Sequence, residues 1–469
     1  MENRELTKEE KQYIKMTTGS PKKLVIKLGL PTITSMLITA IYNISDTFFV
    51  SQLGKSASGA VGVVFGLTAI IQAIGFTFGM GSSSLISSLL GQKKSREAQK
   101  TASSGFYCAI MLGALIAIIT LVFMKPILLL LGATDTVLPY AESYVTYIAI
   151  GFPIMIASFV LNNILRGEGK AKLAMIGLTT GGILNMFLDP LFINVFGLGI
   201  SGAAIATLIS QCVGVTILLS MFIFKRTITT LSIRYLSKSV KTYLEIVKVG
   251  LPSLSRQGLA SLASILLNRS AGAYGDSALS AMTIVSKVFM VIFSVGLGIG
   301  QGYQPVCGYN FFAKKYDRVK EALGFTFISS SILMTTFCII VFFLAESVMR
   351  FFIDDSEVIA IGARALRLQC IALPFLSLNV MCNMTFQSIR YKRRSTFLSS
   401  LRQGLFFIPL VFILPSIFGL EGVEMIQATS DFLTFLVSIP FFIWIFKMLK
   451  EKQQKEKIDN FEKFEESIV

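Results

Sequence analysis

Asp46, Asn185, Asp189 and Thr207 are the side chains of this 469-residue sequence whose types and placement suit chemistry. Asp46 stands in an apolar run from Leu28 to Leu53 that reads IYNISDTFFVSQL from Ile41. Asn185 and Asp189 belong to NMFLDP, and Thr207 to the apolar run that follows. A carboxylate in hydrocarbon costs several kcal/mol, so it faces the protein interior and has work to do there. At about 1.5 Å per helical residue, Asp46 lies roughly 10 Å inside the end of its run at Leu53. Asp189, counted from Phe196, and Thr207, counted from Ile200, fall at about the same depth. Asn185, four residues before Asp189, shares its helix face one turn deeper. Two carboxylates, an amide oxygen and a hydroxyl suit a hard cation such as Na⁺, and equally a shared proton. Histidine is absent, so proton and metal-ion chemistry falls on such oxygens. Each residue also has a plainer reading. Asp46 caps a local kink, Asp189 answers the carbonyl freed by Pro190, and Asn185 and Thr207 hold helices together.

The elements that position these groups are membrane spans. The chain is 53% hydrophobic and only 15% charged, which excludes a soluble domain. Windows of about 20 apolar residues fall near 28–53, 57–90, 103–124, 140–161, 173–196, 200–224, 246–271, 279–306, 322–344, 361–386, 396–418 and 423–446. The formal net charge of +16 resides in short clusters between these runs. The clusters occupy alternate connections, including Lys93 to Lys100, Arg166 to Lys172, Lys314 to Lys320 and Arg390 to Arg394. They read as topology signals rather than a nucleic-acid surface, and both termini are expected in the cytoplasm. The polar start of the chain followed by a full-length apolar run predicts an uncleaved first span. Six cysteines, none in a CxxC pair, read as buried apolar groups.

The chain repeats itself. KLGLPTITS at 27–35 matches KVGLPSLSR at 248–256, and GMGSSSLISSLLGQKK at 79–94 loosely matches GIGQGYQPVCGYNFFAKK at 298–315. RGEGKAK pairs with RYKRRS, and FGLGISG with FGLEGVE. The predicted organisation is a segment 1–27, a six-helix bundle 28–224, a linker 225–245, a second bundle 246–446 and a tail 447–469. Six spans per half give both copies one orientation, related by a pseudo-two-fold axis along the membrane normal.

The repeat, the GLP that opens each half, YNISDTFFVSQLG, and NMFLDP together resemble the multidrug and toxic compound extrusion (MATE) family, in its DinF-like and MepA-like bacterial subgroup. The resemblance covers Lys22 to Lys450. It implies an all-α antiporter of the bacterial cytoplasmic membrane that exports organic, often cationic, compounds in exchange for Na⁺ or H⁺ by alternating access. It also implies a cation site at Asp46, Asn185, Asp189 and Thr207 in the first bundle. No cofactor beyond the coupling ion, no enzyme activity and no nucleic-acid partner is expected. The partners are small organic substrates and the lipid bilayer, and the protein is expected to be a monomer.

The second half has lost its acids, since Asp46 falls against Leu267, or Asn268 with one gap, and Asp189 against Ile408. Some family members carry acids there, so a site in both bundles is not expected. Lys287, about 15 Å deep in its span, is read as a gating or substrate-contact residue or as half of a structural pair. Asn268 and Gln301 join it as cleft candidates. Arg256 and Arg402 are read as snorkelling toward the span ends or binding loops, and Asp431 as a partner for a base. A lipid-linked oligosaccharide flippase, distantly similar to MATE proteins, is the competing transport reading; it favours several cationic cleft residues, and here the clearest case is Lys287 alone. A membrane-embedded enzyme would want an interfacial acid, base and nucleophile, and none stands out.

Overall fold

In hydrocarbon each backbone N–H and C=O must be paired within its own segment, so apolar runs of this length fold as helices. The computed structural model describes residues 6–466, and its regular structure is helical. The first half runs α1 (Lys8–Thr18), α2 (Pro21–Ser51), α3 (Lys55–Gly91), α4 (Ser95–Val122), α5 (Met124–Leu130), α6 (Leu138–Ile150), α7 (Phe152–Gly167), α8 (Ala171–Pro190) and α9 (Gly199–Ile223). The second runs α10 (Val240–Gly272), α11 (Asp276–Phe312), α12 (Tyr316–Phe343), α13 (Ala345–Phe352), α14 (Ser356–Ala372), α15 (Leu376–Ser388), α16 (Lys392–Ser400) and α17 (Phe407–Glu466). Two stretches wind more loosely, as π-helix: Leu191–Val195 after α8, and Leu401–Phe406 between α16 and α17.

Among the described residues nine helices are long and apolar enough to cross a membrane, and the pair α6–α7, bent by 47°, makes a tenth. The bend falls at Gly151, two residues before Pro153. The last apolar helix, Lys392–Asp459, is 68 residues long, far more than the roughly 20 a bilayer needs. It divides at Gly419, whose φ of 58° and ψ of −133° only glycine adopts readily. Its two arms and α10, which carries Lys248, Arg256 and Arg269, complete the twelve expected runs.

Two compact units emerge. One holds residues 31–86 and 96–261, the other residues up to 30, 87–95 and 262 onward. The opening turns of the first span in each half thus belong to the unit built by the opposite half. Glycines make room for this. In the first unit Gly81 of α3 lies against the backbone of Ile246, and Gly250 of α10 against that of Thr77. In the other unit Gly302, the repeat counterpart of Gly81, lies against the backbone of Leu28 and Gly29.

The polar segments are tied down. A capping box formed by Thr7 and Glu10 starts α1. The last carbonyls of α1 accept hydrogen bonds from Asn310 Nδ2 at Met16 and from Lys315 Nζ at Thr17, with Arg318 reaching Gly19. Cations at a helix C-terminus complement its dipole. The tail from Lys447 continues α17 as helix, and Glu456 pairs with Lys314 at 3.0 Å. The first five residues of the predicted N-terminal segment and the last three of the tail lie outside the described residues.

Candidate cation site on α2, α8 and α9

Small residues bring three helices together. Gly177 and Gly181 of α8 form a GxxxG pair, and a Cβ on Gly181 would stand 3.7 Å from the Cα of Gly214 on α9. On the adjoining face a Cβ on Gly182 would meet Ile38 at 3.1 Å and Tyr42 at 3.5 Å, both on α2. One turn further, α8 carries its polar pair. Asn185 Nδ2 donates to Asp189 Oδ1 at 2.9 Å and lies 3.5 Å from Thr207 Oγ1 on α9. Asn185 and Asp189 are 2% and 0% exposed. Directly after Asp189, Pro190 lacks the N–H that would close the helical turn, and the chain relaxes into the π-helical turn Leu191–Val195.

The acid of α2 faces the same place. Asp46 is close enough for its charge to act on Asp189, and both acids act on Tyr42, one turn before Asp46, and on Tyr144 of α6. Three oxygens there are buried without a hydrogen-bond partner among the described residues: Asp46 Oδ1, Asn185 Oδ1 and Asp189 Oδ2. Buried acceptors are rarely left unpaired, and a cluster of them is what a cation or a proton would satisfy. Asp46, Asn185, Asp189 and Thr207 are thus brought together. The sequence reading passed over Tyr42 and Tyr144. Tyr42 carried a signal, since it stands four residues before Asp46 within the IYNISD stretch.

The residues singled out in the second half are not gathered in this way. Lys287 of α11 is half-buried and forms no ion pair among the described residues. Asn268 of α10 is exposed, and Gln301 of α11 is buried.

Arg402 corrects the reading that it snorkels toward a span end. It is 9% exposed, and its Nε donates to Asp431 Oδ1 at 2.6 Å. Its guanidinium lies over the rings of Phe289 and Phe293, 4.4 and 4.9 Å from their centroids. Depth counting failed here because an apolar slot with an acid at its end holds the guanidinium better than the long reach to water. Asp431 does partner a base, as expected.

Away from the spans, the turn after α7 buries Glu168 completely. Its carboxylate accepts the backbone N–H groups of Ile228 and Thr229, both at 2.8 Å, and the Thr229 hydroxyl at 2.5 Å. Burial pushes the carboxyl above its ordinary range, and those hydrogen bonds pull it partly back. Ser103 and Ser104 of α4 fasten the same linker, through the carbonyl of Thr230 and the N–H groups of Ser232 and Ser237.

Comparison with known proteins adds to this geometry. The model of the MatE family matches twice, over residues 31–191 and 252–413, beginning at the equivalent prolines Pro31 and Pro252. The multidrug export protein MepA of Staphylococcus haemolyticus (strain JCSC1435) is 26% identical over 415 residues, 88% of this chain and 91% of that protein. The MepA of Staphylococcus aureus (strain MSSA476) is 27% identical over 402 residues, 86% and 89% of the two chains. Among solved structures, the outward-facing conformation of a multidrug resistance MATE family transporter of the MOP superfamily has a TM-score of 0.89 at 26% identity. It covers 96% of this chain and all of that one. A MOP superfamily transporter from Pyrococcus furiosus, with a reported reverse polarity of its binding pocket, has a TM-score of 0.87 at the same identity and the same coverage.

Proposed function

From the premise that the chain belongs to the MatE family, we propose that it is a multidrug exporter of the bacterial plasma membrane, driven by Na⁺ or H⁺ moving inward. The MepA relatives are named multidrug export proteins, and the cargo proposed for this chain is small organic compounds, often cationic. The observation that carries the coupling is the set of three unpartnered oxygens from Asp46, Asn185 and Asp189, buried on helices that approach through glycine.

Two neighbouring carboxylates in a poorly hydrated place repel one another, and a cation between them removes that cost. Ion arrival therefore favours the arrangement in which α2 and α8 hold both acids together. Cargo binds better to the other arrangement and leaves as the ion arrives, which is the differential affinity that exchange requires. A membrane potential of 100 mV contributes about 2.3 kcal/mol per charge moved, enough for a concentration ratio of tens of fold. Thr207 completes the oxygen set, and the basic connections keep both termini in the cytoplasm. The transporter works as a monomer, with no cofactor beyond the coupling ion. Lys287, with Asn268 and Gln301, contacts cargo or gates its release.

The test is efflux of a fluorescent cationic dye from proteoliposomes under an imposed Na⁺ gradient, and separately under an imposed pH gradient. One gradient should drive efflux in the native protein, and Asp46→Asn and Asp189→Asn should each abolish it at unchanged protein abundance. Native rates in both variants would overturn the site, and translocation of a lipid headgroup without dye efflux would overturn the cargo.

A further inference from the structure

We propose that the second half carries its own cation covalently: the guanidinium of Arg402 fills, beside Asp431, the role that the mobile coupling ion plays in the first half. The inference rests on the cation-site reading of Asp46 and Asp189 and extends it to the other unit.

The fifth and sixth spans are involved in both halves, and in the first half α2 adds Asp46. In the first, the fifth span provides Asn185 and Asp189 and the sixth provides Thr207. In the second, the fifth provides Arg402, from its π-helical turn, and the sixth provides Gln427 and Asp431. The local chemistry is repeated. Gln427 Nε2 donates to Asp431 Oδ1 at 2.8 Å from four residues before it, as Asn185 does to Asp189 at 2.9 Å. Among the described residues one carboxylate oxygen is left without a partner in each case, Asp431 Oδ2 here and Asp189 Oδ2 there. The difference is the counter-charge. Asp189 has a second acid near it, whereas Asp431 has the charge of Arg402 acting on it, bonded through Nε at 2.6 Å.

The guanidinium is fixed for this role. Phe289 and Phe293 stack at 5.4 Å beneath it, and the Arg402 carbonyl accepts the Ser430 hydroxyl at 2.6 Å. A short charge-assisted hydrogen bond in an apolar slot ties acid and base together, and no ion has to come or go. The acid missing from the repeat counterpart of Asp189 has moved to the neighbouring span, and its cation has become part of the chain. The coupling ion is therefore taken up by the first half alone.

The test reads the acids individually. Dicyclohexylcarbodiimide modifies protonated carboxyl groups in apolar surroundings, and mass spectrometry of the full-length protein in detergent locates the adducts. In the native protein Asp431 should stay unmodified. In Arg402→Met and in Arg402→Gln, the latter keeping a donor toward Oδ1, modification of Asp431 should rise severalfold. Suppression of that rise by added Na⁺ would identify the ion taken up as Na⁺, and persistence would identify it as a proton. Arg402→Lys, which forfeits the stacking but keeps a charge, should restore protection, an outcome that a purely packing role does not produce. Modification of Asp431 in the native protein as extensive as at Asp46 or Asp189 would overturn the inference whether or not the variants fold. An unmodified Asp431 in well-folded Arg402→Met or Arg402→Gln would overturn it too. Asp46 and Asp189 report in the same spectra, so failure of the first-half site is seen separately.

Discussion

The amide of Asn185 donates to Oδ1 of Asp189 and so decides which oxygen of that acid stays free for a cation. Asn185→Ala removes this donor and the Asn185 Oδ1 acceptor together. Loss of the Oδ1 ligand weakens the hold on the cation, and at a value like that of a hydrogen bond to a charged group, about 1.5–3 kcal/mol, the coupling-ion concentration for half-maximal efflux should rise by at least about tenfold. Efflux rates measured against ion concentration check this, and an unchanged midpoint would remove Asn185 from the site.

Gly182 sets the distance between α2 and α8. Gly182→Val places methyl groups where Ile38 and Tyr42 already stand, at 3.1 and 3.5 Å from the first added carbon. Overpacking of this kind costs about 1–3 kcal/mol, and it should drive Asp46 away from Asp189 while leaving the Asn185–Asp189 bond within α8 intact. The expected result is loss of ion-driven dye efflux in a protein that still purifies as a single species.

Glu168 fastens the linker. Glu168→Ala leaves the N–H groups of Ile228 and Thr229 without their acceptor, at about 1–3 kcal/mol for each unpaired donor. Thermal unfolding in detergent should show a clear fall in Tm.

The same carboxyl gives a pH dependence with a definite sign. Its pKa is raised on folding, above the ordinary 4.5, so the folded protein holds the proton more tightly than the unfolded chain. That contribution to stability is complete below the unfolded value and is lost as pH rises through the folded one. The Tm of the native protein relative to Glu168→Gln should therefore fall as pH increases from 4.5, and then level off. A difference that grows with pH would contradict the sign.

Gly419 separates the two arms of α17. At φ 58° and ψ −133° a side chain is strained, and Gly419→Ala should cost about 1–3 kcal/mol. A Tm equal to that of the native protein would show that the break tolerates a Cβ.

Much of this architecture was legible in the amino-acid pattern because the bilayer imposes length and polarity rules on each segment independently. Apolar runs marked the helices, and the common depth of Asp46, Asp189 and Thr207 followed from counting along them. Relations between segments were not legible. Counting placed Arg402 near a span end but could not show the slot over Phe289 and Phe293 that holds it, and no periodicity announces that Asp431 lies opposite it. A signal was present: Gln427 precedes Asp431 by four residues, as Asn185 precedes Asp189. Glu168 was read as part of a basic loop, because its role depends on backbone donors 60 residues away that no local pattern shows.

The glycine contacts at Gly81, Gly250 and Gly302 bear on how such a chain can be divided. A fragment ending at Phe224 keeps α3 but lacks the turns of α10 that lie against Gly81. The complementary fragment keeps α11 but lacks the turns of α2 that lie against Gly302. Neither half is self-sufficient; each is completed by a segment of the other.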